Sequence, residues 1–423
     1  MEILKSRKIY PKLKQNLENR KILILTGSRQ VGKTTLMKML REELSSGAKS
    51  VFVDMDIVSN REFGESLAGF LDFLYLNGYE EKGNTFYCFV DEFQKVKSIG
   101  NVFKNLYDNY PNIKIIASGS SSLSIKNNIK ESLAGRKFIF EIFPLDFEEF
   151  LIFKGGKDIK EIYENIHKLK QPEIKMPAKF ERILDEFLTF GGYPEVVLAD
   201  GTDNKKQILK SIFDLYLEKD IIGFSKIENF PAFKKLVEIL AVQNGQETNY
   251  SSLSKEVGIH VKTLKNYISL LEETYLLKII KPFYSNKKKE VVKSPKVYFL
   301  DNGVRNFFLK NYSSLEKRID KGVIWESYVF QEIIKNTEEL PINFWRTKQG
   351  QEVDFIIGGQ KILPVEVKYK GTGKTRDFGN TLAFMRFYNI KKGIILSKNM
   401  NKKVTVGEYE LTFTPAINFV KKL

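Results

Sequence analysis

Residues Lys21–Leu36 read KILILTGSRQVGKTTL, and this stretch decides the fold of the N-terminal part of the chain. The apolar run Ile22–Leu25 predicts a strand, and Gly27–Thr34 fits the phosphate-binding pattern Gly-x-x-x-x-Gly-Lys-Thr without a mismatch. Glycines at both ends let the backbone curl so that successive N–H groups point at phosphate oxygens, and the following helix adds its positive N-terminal end. The stretch therefore predicts a nucleotide-binding loop between a strand and a helix.

Two residues of this loop carry specific expectations. Lys33 is expected to reach the β- and γ-phosphates, and the Thr34 hydroxyl is expected to ligate Mg²⁺. The residues predicted to contact the nucleotide are Gly27, Ser28, Arg29, Gln30, Val31, Gly32, Lys33, Thr34, Thr35 and Ser120.

A second set of candidate residues follows apolar runs further along the chain. Asp91 ends the run FYCFV and is expected to hold Mg²⁺, while the next residue, Glu92, is placed to orient or deprotonate the attacking water. Ser118 or Ser120 is a candidate sensor of the γ-phosphate, although turn chemistry explains serine there equally well. Arg136 is a candidate arginine finger for a neighbouring nucleotide site, with a surface arginine as the alternative.

Composition limits the class of protein. A chain of 423 residues predicts two to four domains, and the single cysteine, Cys88, lies in an apolar run that predicts a buried, inert thiol. The 68 Lys and Arg against 52 Asp and Glu give a net charge of +16, which suits a polyanionic partner, nucleic acid first. The polar N-terminus and the lack of a long apolar run predict a cytoplasmic protein without a membrane segment.

Strands and helices alternate through the first 120 residues. Further strands are predicted at Val51–Met55, Phe86–Val90 and Lys114–Ala117, with helices at Glu62–Leu76 and Ile99–Tyr110 between them. Such alternation is typical of a doubly wound parallel α/β sheet.

An ordered set of motifs gives a family resemblance. The runs TGSRQVGKTTL, FVDEFQKV, SGSSSL, LAGR, FPLDFEEF and FGGYPEVV resemble the archaeal and bacterial AAA-type ATPases that carry the C-terminal domain of unknown function DUF4143. The resemblance runs from the start to about Ser397. It implies a P-loop ATPase core with a short helical lid around Phe180–Leu198, then a winged-helix region and a nuclease-like domain.

The middle of the chain predicts a helix-turn-helix. Residues 250–277, YSSLSKEVGIHVKTLKNYISLLEETYLL, fit two helices around a tight turn at Gly258, with Ser251 or Ser252 capping the first. Strands at Leu276–Pro282 and Val297–Leu300, separated by the basic run SNKKKEVVKS, would form a β-hairpin wing. The residues expected to contact DNA phosphates are Lys262, Thr263, Lys265, Asn266, Lys287, Lys288 and Lys289. The alternative is a protein-docking module with solvated lysines.

The C-terminal third carries a carboxylate–lysine pattern. A predicted helix holds Glu326, a predicted strand holds Asp354, and the strand ILPVEVKY holds Glu366 and Lys368, which share one face because they are two apart. Asp354 and Glu366 would flank Mg²⁺ or Mn²⁺, Lys368 would stabilise developing charge, and Glu326 would complete a second metal position or an outer shell.

This pattern resembles the PD-(D/E)XK nuclease superfamily, with Val353-Asp354 in place of the proline-aspartate pair. An exposed ion pair is the alternative for Glu366 and Lys368, and many such domains bind nucleic acid without cutting it.

Together these patterns predict a P-loop ATPase core at 1–155, a helical lid or linker at 156–225, an α+β winged helix at 226–312 and an α/β restriction-endonuclease-like domain at 313–423. The expected function is ATP hydrolysis coupled to DNA binding or processing, with ATP and Mg²⁺ at the first site and Mg²⁺ or Mn²⁺ at the second. The alternative is a non-cleaving, nucleotide-gated switch that binds DNA or docks a protein. A homo-oligomer, or a protein partner at the winged helix, is compatible with either.

Overall fold

In the computed structural model, the chain divides into two compact units. One unit holds the described residues of 1–143, 212–226 and 273–275, and the other holds the remainder. The residues that the structure describes are 5–44, 47–120, 132–155, 157–169, 171–217, 227–284, 294–337, 340–358 and 361–419. No helix within these ranges is long and apolar enough to cross a membrane.

The first unit is built on a five-stranded sheet in the order β2-β3-β4-β1-β5, with every pair parallel. This sheet confirms the predicted parallel α/β fold. The strands are β1 (Ile22–Gly27), β2 (Ser50–Asp54), β3 (Phe86–Asp91), β4 (Ile113–Ser120) and β5 (Lys137–Glu141). The helices are α1 (Tyr10–Gln15), α2 (Lys33–Glu42), α3 (Val58–Gly64), α4 (Leu67–Leu76) and α5 (Ile99–Asn109), with a 3-10 turn at Phe93–Lys95.

Strand β1 is buried on both faces, as its apolar run predicts. Ile22 and Ile24 join the core that also contains Cys88 and residues of α4 and α5, whereas Leu23 and Leu25 point to the other face and are equally buried. Because all five strands are parallel, the carboxyl ends of β1, β3 and β4 lie at one edge of the sheet. That edge carries the candidate nucleotide-site residues.

One predicted helix of this unit is wrong. Residues 62–76 do not form a single helix, because α3 ends at Gly64 and α4 begins after Ser66. The Ser66 side chain accepts a hydrogen bond from the Gly69 N–H at 3.1 Å, which satisfies a donor at the start of α4. A serine cap inside an otherwise apolar pattern therefore divides the helix.

The second unit contains an eight-stranded mixed sheet in the order β12-β13-β11-β10-β9-β8-β6-β7. Its strands are β6 (Leu277–Pro282), β7 (Lys296–Phe299), β8 (Ile342–Arg346), β9 (Glu352–Ile357), β10 (Leu363–Val367), β11 (Lys392–Ser397), β12 (Lys402–Val406) and β13 (Tyr409–Pro415). Its helices are α6 (Phe147–Lys154), α7 (Lys157–Lys168), α8 (Ala178–Phe190), α9 (Pro194–Leu198), α10 (Thr202–Leu215), α11 (Phe230–Val242), α12 (Tyr250–Val257), α13 (Val261–Glu273), α14 (Asn302–Leu309), α15 (Lys321–Asn336) and α16 (Gly379–Phe387). The last turn of α10, residues 212–215, and the last residue of α13, Glu273, belong to the first unit.

The predicted helix-turn-helix corresponds to α12 and α13. Gly258 ends α12 with φ 82°, a left-handed conformation that glycine adopts without steric cost. The predicted cap at Ser251 or Ser252 is wrong: Asn249 caps α12, with its side-chain oxygen accepting from the Ser252 N–H at 3.0 Å.

The hairpin after these helices does not stand alone. Strands β6 and β7 pair antiparallel as predicted, but β6 also pairs parallel with β8, with Lys281 opposite Asn343 and Pro282 opposite Phe344. The hairpin therefore forms one edge of the sheet that carries the C-terminal carboxylates.

Asp301 lies at the start of α14 and caps it. Its carboxylate accepts from the Val304 N–H at 3.1 Å and from the Gly192 N–H at 2.7 Å, and its side chain is 2% exposed. The predicted lid segment contains α8 and α9 with a turn at Gly191, where φ is 77°. Asp301 thus ties this turn to α14.

Candidate nucleotide site and carboxylate cluster

The phosphate-binding loop curls between β1 and α2 as predicted. Gly27 has φ 151°, and a Cβ atom there would lie 2.1 Å from the Ile142 carbonyl oxygen, so a side chain is excluded. Gly32 begins α2 with φ 95°, and Gln30 also has a positive φ of 58°. The loop therefore has the backbone conformation that the two glycines of the pattern allow.

Lys33 is buried inside the loop, with 5% of the residue exposed. Its ammonium group donates to the carbonyl oxygens of Gly27 at 3.0 Å and Ser28 at 2.7 Å. These contacts hold the charge within the curl, where phosphate oxygens are expected. Val31 and Ser28 are also buried, whereas Thr35 faces outward on α2.

Asp91 and Thr34 meet at the carboxyl edge of the sheet. The Thr34 hydroxyl donates to Asp91 Oδ2 at 2.6 Å, although 57 residues separate the two. Asp91 Oδ1 accepts from the Ser118 hydroxyl and from the Glu92 N–H, the latter at 3.1 Å. Both predicted Mg²⁺-binding groups are therefore in contact. A hydroxyl and a carboxylate oxygen are hard ligands of the type that Mg²⁺ prefers.

Glu92 follows Asp91 in the left-handed region, with φ 50°. A non-glycine residue held in this region is strained, and such residues concentrate at functional sites. The Gln94 side-chain amide donates to the Glu92 carboxylate and to the Ser120 hydroxyl, the latter at 2.8 Å. Gln94 thus connects the expected base with the expected sensor. This role could not be predicted from the sequence, because a glutamine after a strand is ordinarily solvated.

Two further residues contact the site from distant parts of the chain and were not predicted. Arg7 is buried and donates to the Val31 carbonyl of the loop at 2.9 Å. The Tyr275 hydroxyl lies 3.0 Å from Thr26 Oγ1 and donates to Glu141 Oε1 at 2.8 Å. Burial, together with the Glu141 carboxylate, raises the pKa of Tyr275, so its hydroxyl stays protonated. Both residues support the strand and loop that carry the glycines.

Arg136 lies at the opposite edge of the sheet. It precedes β5, and its carbonyl accepts from the Ile22 N–H at the start of β1. Its guanidinium group binds Asp108 with two hydrogen bonds of 2.7 and 2.9 Å. The structure therefore does not bring Arg136 to Lys33 of its own chain, and its role as a finger in a neighbouring site stays a prediction.

The predicted DNA-contacting residues of α13 lie on its outer face. Lys262, Lys265 and Asn266 are exposed, and Thr263 is half-buried. The Lys265 ammonium lies 5.5 Å from the centroid of the Tyr250 ring, close enough for a cation–π contact. The predicted wing residues Lys287, Lys288 and Lys289 lie outside the described residues.

The carboxylate–lysine pattern converges on one place in the second unit. Asp354 on β9 and Glu366 on β10 lie on adjacent antiparallel strands, and the register that pairs Val365 with Phe355 continues to place them opposite each other. Lys368 lies just beyond β10, with Nζ 2.5 Å from Glu366 Oε1. Asp354 Oδ2 accepts from the Val367 N–H at 2.7 Å.

The carboxyl groups of this cluster favour protonation. Burial raises the pKa of Glu366 to about 8 and that of Glu326 to about 7, and in both cases the neighbouring Asp354 carboxylate adds to the rise. Burial also raises the pKa of Asp354, which the ammonium groups of Lys296 and Lys368 partly offset. The cause is the removal of like charges from water at short distance, which a bound cation would relieve.

Glu326 contacts two side chains of β7. Its Oε1 accepts from the Tyr298 hydroxyl at 2.6 Å and lies 3.7 Å from Lys296 Nζ. Across the described ranges, no three His, Cys, Asp or Glu side chains are arranged so that they could hold one metal ion together. Asp354 and Glu366 are two carboxylates on adjacent strands, and their role as ligands of a divalent cation stays a prediction.

Lys296 and Tyr298 were missed by the sequence reasoning. Both lie on β7, two residues apart, so their side chains share a face of the strand. The run KVYF carries that signal, but nothing in it indicates that the shared face meets Glu326.

Three segments of the chain match models of known protein families. Residues 19–151 match the model of an AAA domain, residues 321–416 match a domain of unknown function (DUF4143), and residues 181–315 match another (DUF8612). The N-terminal segment is therefore an AAA-type P-loop ATPase domain. The order of an AAA domain followed by DUF4143 confirms the resemblance that the motifs predicted.

Several proteins are similar to large parts of the chain. An uncharacterised protein of Methanocaldococcus jannaschii is 29% identical over 97% of this chain and 90% of its own length. A protein of Haemophilus influenzae is 26% identical over 74% of this chain and 72% of its own length. Among solved structures, a Walker-type ATPase of Pyrococcus abyssi aligns with a TM-score of 0.48 and 16% identity, covering 72% of this chain and 96% of that one.

Proposed function

We propose that this protein hydrolyses ATP and couples its nucleotide state to DNA binding or processing through its second unit. The AAA-type domain supports the first part of the proposal. The single observation that carries it is the hydrogen bond of 2.6 Å between Thr34 and Asp91, because it joins the two motifs on which hydrolysis depends.

In the proposed reaction, MgATP is the substrate and supplies the phosphoanhydride bond. Lys33 exchanges its two carbonyl contacts for phosphate oxygens, and Thr34 and Asp91 hold the Mg²⁺. Glu92 accepts a proton from the attacking water, while Gln94 keeps its carboxylate next to Ser120. Each of these side chains already lies at the carboxyl edge of the first sheet.

Steady-state phosphate release tests this assignment. Lys33→Ala is expected to abolish hydrolysis, and Glu92→Gln is expected to keep nucleotide binding while lowering kcat by about 10²- to 10⁴-fold, the usual contribution of a general base. Lys38→Ala is the matched control, because Lys38 is an exposed lysine on the same helix. Normal hydrolysis by Lys33→Ala would refute the proposal.

The outer face of α13 supports a DNA-binding role, together with the net charge of +16. Replacing Lys262 and Lys265 by glutamate is expected to weaken binding to duplex DNA and to reduce the slope of log K against log salt by about 2. Lys234→Glu on α11 is a matched control on an exposed lysine. If the double variant binds DNA as tightly as the control does, α13 is not the contact surface.

The Asp354–Glu366 pair supports Mg²⁺-dependent cleavage of DNA as the processing activity. With a cation bound there to polarise a phosphodiester, Lys368 would stabilise the charge that develops on phosphate. Asp354→Asn and Glu366→Gln should each abolish Mg²⁺-dependent cleavage of linear, nicked or branched DNA. Cleavage that persists in both variants would exclude this site as its source.

A second candidate function is a nucleotide-gated DNA grip that does not cut. The observation in its favour is that Oε1 of Glu326 already accepts from the Tyr298 hydroxyl and lies 3.7 Å from Lys296 Nζ, so this oxygen is engaged without a metal ion. ATP-dependent retention of DNA, without cleavage in Mg²⁺ or Mn²⁺, would favour this candidate.

A further inference from the structure

Lys296 is a buried cation inside the carboxylate cluster. Its side chain is 2% exposed, and its Nζ lies 2.5 Å from Glu352 Oε1 and 3.7 Å from Glu326 Oε1. The ammonium also lies 5.3 Å from the centroid of the Phe344 ring. A lysine this deeply buried is retained in its charged form only where anions surround it, and here two carboxylates do.

The surroundings hold Glu326 on the Lys296 side of the cluster. The Tyr298 hydroxyl, two residues along β7, donates to Glu326 Oε1 at 2.6 Å. Gly245 approaches from a turn with φ 79°, and a Cβ there would lie 3.2 Å from the same oxygen and 3.2 Å from the Tyr298 ring. One oxygen of Glu326 is therefore fixed by a hydroxyl, a cation and a close backbone approach, which together make a built site.

The charges of the cluster balance with one divalent cation. Glu326, Glu352, Asp354 and Glu366 are its carboxylates, and Lys296 and Lys368 are its ammonium groups. The Arg346 guanidinium also pairs with Glu352 at 3.1 Å and with Glu247 at 3.4 Å, and because Arg346 and Glu247 carry opposite charges they add no net charge to the count of the other six groups. When all six are ionised, the net charge is −2. A single Mg²⁺ or Mn²⁺ neutralises it, whereas two such ions would leave a net positive charge in a largely buried volume.

We propose that Lys296 replaces a second metal ion, so that the site takes one divalent cation at Asp354 and Glu366 while Lys296 fills the position beside Glu326 and Glu352. This inference rests on the proposed metal-binding role of Asp354 and Glu366. Lys296 is then a positioning residue, since it acts on Glu326 and not on a substrate. Its removal would leave Oε1 of Glu326 and Oε1 of Glu352 without their shared cation and open to a second ion, while Arg346 stays paired with Oε2 of Glu352.

Counting bound Mn²⁺ tests the proposal without reference to cleavage. The full-length protein, free of nucleotide, is titrated with Mn²⁺, and free ion is measured by electron paramagnetic resonance. The double variant Asp354→Asn/Glu366→Gln supplies the background from other sites, including Thr34 and Asp91. We expect one ion above this background in the unmodified protein, two in Lys296→Met, and one in Lys296→Arg, which keeps the charge.

A second measurement guards against misfolding of Lys296→Met. Both tryptophans of the chain, Trp325 and Trp345, lie in the second unit, so their fluorescence reports its unfolding separately from that of the first unit. We expect Lys296→Met to be less stable than the unmodified protein without metal, and to gain more than the unmodified protein from saturating Mn²⁺, because a ligand that binds only the native state stabilises it.

The outcomes separate this inference from the proposed function. Two ions in the unmodified protein, or an unchanged count in Lys296→Met, would overturn the role of Lys296 while leaving the metal site intact. No ion above background in the unmodified protein but one in Lys296→Met would support competition between Lys296 and a cation and would refute metal-dependent cleavage. No ion above background in either protein would overturn both proposals.

Discussion

Raising the pH is expected to destabilise the second unit when no divalent cation is present. Its cause is the carboxylate cluster, where burial raises the pKa of Glu326 to about 7 and that of Glu366 to about 8, from an ordinary value of 4.5. Between the ordinary pKa of 4.5 and the raised pKa values, the native state binds more protons than the unfolded chain, so the free energy of unfolding decreases as the pH rises. The stabilising contribution is complete below about pH 4.5 and is lost through about pH 7 to 8.

The size of the effect follows from the displaced pKa of Glu366. The difference between 4.5 and about 8 corresponds to about 5 kcal/mol, at ~1.4 kcal/mol for each pH unit, as an upper value. Because Glu366 shares its titration with Asp354 and Glu326, one substitution should recover only part of this energy. Glu366→Gln, which resembles the protonated acid, is therefore expected to stabilise the unit by about 2 to 4 kcal/mol at about pH 8.5, and by little near pH 5.

Urea unfolding followed by tryptophan fluorescence measures this difference, with EDTA present to remove divalent ions. The midpoint for the unmodified protein should fall from about pH 5 to about pH 8.5, and that of Glu366→Gln should fall less. Glu410→Gln is the matched control, since that side chain is 38% exposed on β13 and forms only a surface ion pair with Lys403.

Two results would refute the reasoning. A midpoint for the unmodified protein that stays flat across this pH range would mean that the cluster does not hold protons above their ordinary pKa. A Glu366→Gln protein that is less stable than the unmodified protein at about pH 8.5 would mean that its contacts with Lys368 outweigh the cost of burial.

Three further substitutions have defined outcomes. Gly27→Ala places a Cβ 2.1 Å from the Ile142 carbonyl and should weaken binding of a fluorescent ATP analogue by about 100-fold or more; unchanged binding would show that the loop can move. Asp301→Ala removes a cap and leaves the Gly192 N–H unpaired, so urea unfolding by tryptophan fluorescence should show a loss of about 2 to 4 kcal/mol, which Asp301→Asn should partly restore. Tyr275→Phe removes the hydroxyl that bonds Thr26 and should lower the stability of the first unit, measured by calorimetry, by about 1 kcal/mol; an unchanged transition would show that this hydrogen bond does not stabilise the unit.

The fold of the first unit could be predicted because its signals are local. Each apolar run was long enough to identify a strand, and the alternation with helices left a parallel sheet as the consistent arrangement. The split after Gly64 could not be predicted in the same way. A serine in an apolar helical pattern is compatible with a solvated helix position, and only the Gly69 contact makes Ser66 a cap.

The residues of the candidate sites could likewise be predicted only where the signal is local. Residues within a contiguous motif, such as Lys33, Asp91 and Glu366, were found because their spacing reflects the geometry of a loop or a strand. Arg7 and Lys296 were missed because each reaches its site from another element, and single positions in a basic chain carry no sign of such a contact. Predicting them requires the strand order, which the sequence does not state.

The pairing of β6 with β8 has a consequence for synthesis of the chain. Lys281 and Asn343 are 62 residues apart, so at about 5 to 20 residues per second one edge of β6 waits about 3 to 12 s for its neighbour to leave the ribosome. An unpaired strand edge can pair with another chain and aggregate. Strand β6 carries two of the residue types that disfavour such pairing on natural edge strands, an exposed lysine at Lys281 and a proline at Pro282. The same order means that Lys296 is made before any of the acids that it will neutralise, so that each acid emerges when its counter-charge is already present.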